Sequence, residues 1–177
     1  MADNNNFHPF PTITTERLIL RSLKDSDEQA IYSLRSNDII NKYLDRPKMK
    51  NINEAEEFIK KINDGIKLNG WFYWVISLKE NPELIGTICL WNFSDDKKTA
   101  EIGYELMLPF QGKGFANESL KSIIDYGFNK IGLDKIEAYT HKENVSSVRL
   151  LERNGFKLNA DRHDEYNADN IIYILFR

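Results

Sequence analysis

QGKGFA, residues Gln111 to Ala116, lies between an apolar run ending at Leu108 and a helical pattern that continues to about Phe128. A helix beginning near Gly114 leaves its first amide N–H groups unpaired and presents the positive end of its dipole. Gly112 and Gly114 carry no side chain, so a bulky anion can come close to those amides. That chemistry suits a pyrophosphate. The plain alternative is a tight turn and nothing more. A nucleotide P-loop is disfavoured, because Lys113 is not followed by the Ser or Thr that would hold magnesium.

Two further features stand near this loop. The segment AEIGYELML (100–108) reads as a central strand, yet it carries Glu105 in the half nearest the glycines. An unpaired carboxylate buried there is costly. It therefore either pairs with a Lys or Arg or faces a wet cleft at the strand's C-terminal end. Asn144 and Ser147 open the next helix. Asn144 is a natural N-cap, and Ser147 falls in the first turn, beside a second set of free N–H groups. Ligands in open α/β sheets gather outside the carboxyl ends of the strands, where both helix N-termini lie.

The elements that must position these residues are legible as patterns. RLILRSL (17–23) predicts a strand, and DSDEQAIYSLRS (25–36) a helix with a capping box from Ser26 to Gln29. After a loop over 39–52, Asn53 and Glu56 open a second helix with Phe58, Ile59, Ile62 and Ile66 on one face. Residues 71–79, 84–93 and 99–108 predict a three-stranded antiparallel meander broken at KENPE and SDDKK. A helix over 115–131, a strand at 135–141, a helix at 144–156 and strands near 157–166 and 170–176 complete the chain. The expected order is β-α-α-β-β-β-α-β-α-β-β, an α/β (α+β) sandwich of one mixed sheet with helices on it. The helix over 115–131 crosses between strands 99–108 and 135–141, which makes those two parallel neighbours.

Composition limits the class of function. The 177 residues suit one domain, and 41% hydrophobic with 29% charged residues is an ordinary globular balance. A net charge of −3 argues against nucleic acid as the main partner. Cys89 is the only cysteine, so no intrachain disulfide forms. The first residues lack the pattern of a signal peptide, and the longest apolar run, WFYWVISL, is far short of the ~20 residues of a membrane span. A cytoplasmic protein without membrane contact is expected. His8, His141 and His163 have no metal-ligand spacing, so no metal is expected. The aromatic run GWFYW (70–74) reads as a hydrophobic strand rather than a substrate mouth, and His163 with Asp164 as a solvated turn.

EIGYELMLPFQGKGFANESLKSIIDYGF resembles the acetyl-coenzyme A motif of the GNAT acetyltransferase superfamily, whose loop pattern Gln/Arg-x-x-Gly-x-Gly/Ala falls here on Gln111, Gly114 and Ala116. TERLILRSLKDSD (15–27) and NVSSVRLLERNGF (144–156) resemble the ribosomal-protein (Rim-type) subgroup that acetylates protein N-termini. The resemblance covers 14–177 and implies a GNAT-like sheet with a splayed central parallel strand pair. Residues 1–13 are then a disordered or extended N-terminal segment, and 14–177 one acetyl-CoA-dependent N-acetyltransferase domain.

It further implies that backbone groups of Leu106, Met107 and Leu108 pair with the pantetheine arm. The amides of Gln111, Gly112, Lys113, Gly114, Phe115 and Ala116 receive the pyrophosphate, with Asn144 and Ser147 beside the cofactor. Many members carry a tyrosine seven positions after the asparagine as general acid, but Leu151 stands there. The Rim-type subgroup has a serine three positions on, here Ser147, whose hydroxyl near a helix N-terminus can stabilise a thiolate. Glu105 is the first choice of base and Glu165 the second. The implied acceptor is a primary amine, either a protein N-terminus or a small molecule such as an antibiotic, polyamine or amino sugar. A non-catalytic coenzyme A-binding module is the alternative of another class. A monomer or homodimer fits either.

Overall fold

Runs of β-branched and aromatic residues line up as one eight-stranded mixed sheet in a computed structural model that describes residues 9–177. Of the segment 1–13 expected to be disordered or extended, residues 1–8 lie outside the described part. The strands are β1 (Ile13–Thr14), β2 (Leu18–Arg21), β3 (Phe72–Leu78), β4 (Asn81–Trp91), β5 (Thr99–Leu106), β6 (Lys135–His141), β7 (Lys157–Leu158) and β8 (Asn170–Phe176). Their order across the sheet is β1-β2-β3-β4-β5-β6-β8-β7. Every neighbouring pair is antiparallel except β5 and β6. The element order is the expected one, with β1 added as a two-residue strand ahead of β2.

Alternation along the strands sorts two cores. Phe72, Trp74 and Ile76 of β3 face the helices α3 (Phe115–Tyr126) and α4 (Val145–Arg153), where Leu120, Ile123 and Leu151 are fully buried. Phe72 and Trp74 stack at 5.2 Å, and Tyr126 meets both edge-on. Tyr73 and Val75 face the other way, onto Ile31 and Leu34 of α1 (Glu28–Ser36) and Ile59, Ile62 and Ile66 of α2 (Ile52–Lys67). Phe72, Tyr73 and Trp74 of the run GWFYW are therefore core, and the partly buried Trp71 donates to the Ile62 carbonyl at 3.1 Å and fills the space beside Gly65.

Several boundaries differ from expectation. Ser26 does not cap α1. Asp27 is taken by both terminal nitrogens of Arg21 at 2.8 Å and by the Lys24 amide, which winds residues 25–27 into a 3-10 turn first. The box at α2 sits two residues early, with Asn51 as cap and the Glu54 carboxylate accepting from the Lys50 amide. β4 begins at Asn81 because the turn after β3 is tighter than KENPE suggested. The helix over 115–131 ends as α at Tyr126 and closes in a π turn, Gly127–Ile131. The strand expected over 157–166 is only Lys157–Leu158.

The parallel pair matters most. β5 and β6 are joined only at Thr99–Lys135, Ala100–Ile136 and Glu101–Glu137. Beyond that point β5 stays with β4 as far as Leu106 and β6 stays with β8 as far as His141. The two strands part, and a gap opens toward their carboxyl ends.

Candidate active site

The glycine loop lies at one mouth of that gap. Gly112 and Gly114 have φ of +72° and +83°, a region open to glycine at little cost. Nothing stands within 4 Å of where a Gly112 Cβ would be. Gly114 caps α3 without any side-chain cap, and the first helical donor is Glu118, to the Gly114 carbonyl at 3.0 Å. The N–H groups of Phe115, Ala116 and Asn117 therefore have no helical acceptor. Gln111 turns inward: its Nε2 donates to the Leu106 carbonyl at 2.9 Å and its amide to the Leu108 carbonyl at 3.2 Å. The Met107 amide bonds the Ile85 carbonyl at 2.9 Å. Of the groups assigned to pantetheine and pyrophosphate, those at Leu106, Met107, Leu108 and Gln111 are thus partly used inside the protein. Lys113 is exposed.

At the other mouth Asn144 caps α4, its Oδ1 accepting from the Ser147 amide at 3.2 Å. Its Nδ2 has no partner among the described residues. The Ser147 hydroxyl reaches across the gap to the Tyr104 hydroxyl of β5, 2.8 Å away. Burial pushes the Tyr104 phenol up to about 12, against the lowering effect of that hydrogen bond, so it stays protonated near neutral pH. Leu151 is buried in the core and offers no polar group to the gap.

On β5, Tyr104 points to the α3–α4 face, while Glu101, Gly103 and Glu105 point to the α1–α2 face. Of the two readings open for Glu105, an ion pair or a wet cleft, the structure shows the ion pair. Its side chain is 9% exposed and ion-paired. Arg46, from the α1–α2 loop, donates to both carboxylate oxygens at 3.2 and 2.5 Å, and Arg35 of α1 lies 3.8 Å away. Thr87 adds a bond at 3.3 Å, and Asn41 holds the Arg46 Nε at 2.8 Å. A buried carboxylate needs such partners, and two arginines on neighbouring elements supply them.

Glu101 is the opposite case, and the sequence reading passed over it. It stands at the last paired position before the strands part, and among the described residues its carboxylate takes a hydrogen bond only from Asn92, at 3.5 Å. Burial raises its carboxyl from 4.5 to about 7, opposed by Asn92 and reinforced by Asp164 and Glu137. Glu137 beside it is held by Lys135 at 2.7 Å and Arg162 at 2.5 Å. The available signal was spacing: Glu101 and Glu105 are four apart on one strand and so share a face. Glu165 sits exposed in the loop between β7 and β8, at the end of the sheet where α4 begins, and His163 next to it is exposed as well.

Burial pushes the Cys89 thiol up to about 12, which removes it as a nucleophile at neutral pH. Among the described residues, no group of three or more His, Cys, Asp or Glu is placed to hold a metal ion. No helix among them is long and apolar enough to cross a membrane.

The family description "Acetyltransferase (GNAT) domain" matches residues 17–157. The uncharacterized N-acetyltransferase YoaA of Bacillus subtilis (strain 168) is 35% identical over 148 residues, 84% of each chain. A spermidine N-acetyltransferase from Vibrio cholerae, solved with CoA and spermine, superposes with a TM-score of 0.78 at 27% identity, covering 90% of this chain and 95% of that one. RimL, a ribosomal L7/L12 α-N-protein acetyltransferase solved with coenzyme A, gives 0.79 at 20% identity over 94% and 98%, a likeness of fold.

Proposed function

This chain belongs to the GNAT acetyltransferase family and is an acetyl-CoA-dependent N-acyltransferase, and on that premise we propose that its acceptor is a protein N-terminal α-amine, as in the Rim-type subgroup. Residues 14–177 act as one catalytic domain. Acetyl-CoA brings the activated thioester. The amides around Gly112 to Ala116 hold its pyrophosphate, and the parted edges of β5 and β6, with Asn144, hold its arm.

Acid and base stand on opposite faces of the sheet. Ser147, backed by the Tyr104 hydroxyl, donates toward the departing thiolate from the α3–α4 side. Glu101 takes the amine's proton from the α1–α2 side. Glu105, with both oxygens on Arg46, anchors the 37–51 loop that flanks the acceptor. It is a base only if that clamp opens. Glu165 is the remaining carboxylate at this end and is tested beside them.

This choice of acceptor is supported by the place of Glu101, at the last β5–β6 pair before the strands part, where burial pushes its carboxyl up to about 7. An α-ammonium has a pKa of ~7.7–8 and an alkylammonium ~10.4. Proton transfer to a carboxyl raised in this direction is then nearly balanced from the first and clearly uphill from the second. The polyamine reading is favoured by the likeness to spermidine N-acetyltransferase, in sequence as well as in structure.

The deciding experiment follows free coenzyme A thiol with short N-terminal peptides, spermidine and an amino sugar as acceptors. Turnover of at least one unblocked peptide, abolished by blocking its α-amine, is the expected result. Spermidine outrunning every peptide replaces this reading with the polyamine one.

A further inference from the structure

Arg17, between β1 and β2, touches the glycine loop in several ways. Its Nε donates to the Glu118 Oε2 at 2.7 Å and its NH1 to the Lys113 carbonyl at 3.0 Å. The guanidinium lies 4.5 Å over the Phe115 ring, and its NH2 is 3.3 Å from where a Gly114 Cβ would stand. Glu118 also accepts from the Arg17 amide at 2.7 Å and from the Thr15 hydroxyl at 2.6 Å.

Two physical consequences follow for an anion on this loop. The Lys113–Gly114 peptide is flanked by glycines at 112 and 114, both in the left-handed region, so little local stiffness keeps it from flipping. In a trans peptide the C=O and N–H point opposite ways. With its carbonyl held by Arg17, this peptide turns the Gly114 N–H away from Arg17, to the open side of the loop. Flipped, it presents a carbonyl oxygen there. Second, Glu118 puts a negative charge in the first turn of α3. That favours the bare helix but opposes a bound phosphate, and Arg17 with Thr15 satisfies this charge from behind.

We propose that Arg17 is a positioning residue for the coenzyme A pyrophosphate, fixing the orientation of the 113–114 peptide and neutralising Glu118. The inference rests on the assignment of this loop to the pyrophosphate. It gives the edge of the sheet a part in cofactor affinity, separate from the chemistry at Glu101 and Ser147.

The test is calorimetry of coenzyme A with wild type, Arg17→Gln and Arg17→Lys, together with steady-state kinetics and melting temperatures. Arg17→Gln is expected to raise both the Kd for coenzyme A and the KM for acetyl-CoA about tenfold, in the range of one charge-assisted hydrogen bond. The saturated kcat and the acceptor KM stay within about twofold of wild type. Arg17→Lys keeps the charge but cannot reach both acceptors at once, so its Kd falls between the two. A merely structural Arg17 lowers the melting temperature and leaves the Kd of the folded protein within about twofold, which overturns the proposal. If Arg17→Gln does not fold, Arg17→Lys is judged by the same limit. Wild-type protein that fails to bind coenzyme A overturns the loop assignment itself and this inference with it.

Discussion

Glu101 and Glu105 share a strand and a face, and their surroundings could hardly differ more. Glu105 lies where the α1–α2 loop folds back onto β5, so Arg46 and Arg35 close over it. Glu101 lies where β5 meets β6, and its neighbours there are Glu137 and Asp164, with no cation bonded to it among the described residues. Glu137 already engages Lys135 and Arg162, the cations nearest at hand. In the proposed mechanism one carboxylate is thereby part of the scaffold and the other exchanges a proton with the amine. Residue type and depth did not separate them; the partner supplied from a distant element did.

The sharpest way to break this contrast is Glu101→Gln, expected to lower kcat at pH 7 by about 10²–10³-fold and to erase the kinetic limb near pH 7. The same limb should survive in Glu105→Gln and Glu165→Gln, and its loss from either relocates the base to that residue. Ser147→Ala should cost about 10²-fold in kcat with no rescue at high pH, since a proton donor is missing. Tyr104→Phe should act in the same direction and more weakly; equal pH rescue in both variants would argue against an acid on that face.

Glu105→Gln should instead be read in stability. It leaves two arginines facing a neutral group, at a loss of about 3 kcal/mol in urea unfolding. Arg46→Met added to it should recover part of that loss, and a fully additive double variant would mean that the pair does not couple.

The smallest effect is a pH-dependent gain. The folded carboxyl of Glu101 at about 7, against 4.5 unperturbed, binds its proton more tightly than the unfolded chain does. Stability therefore falls as pH rises from 4.5 to 7. Glu101→Gln should relieve roughly 1–2 kcal/mol at pH 8, after allowance for solvent screening, and nothing below pH ~4. A variant equally stable or weaker at pH 8 would show that the carboxylate is not desolvated.

How much of this was legible depended on how local the cause was. The crossover, the parted strands and the helix-capping Asn144 follow from periodicity, glycine placement and the family pattern. The strand over 157–166 failed for a local reason too. Asn159, Asp164 and Asn167 each accept from a backbone amide two residues on, at 3.1, 2.9 and 2.9 Å, and these Asx turns compete with a ladder. Glu105 stands out in the sequence as a polar residue in a core strand. Its partner Arg46 comes from a loop whose path periodicity does not encode. Tyr104 meets Ser147 only because the gap brings α4 against β5, a contact that neither segment announces alone.

The parting of β5 and β6 has one more consequence, visible to solvent rather than to substrate. A sheet's interior is ordinarily where amide hydrogens exchange slowest. Here residues 102–106 and 138–141 lie mid-sheet, yet their facing edges have no strand between them. Amides turned into that opening should exchange with deuterium as readily as those of an outer strand, while their neighbours turned toward β4 or β8 remain protected. Coenzyme A filling the opening should slow just this subset, leaving a footprint of the cofactor written in the most central strands of the fold.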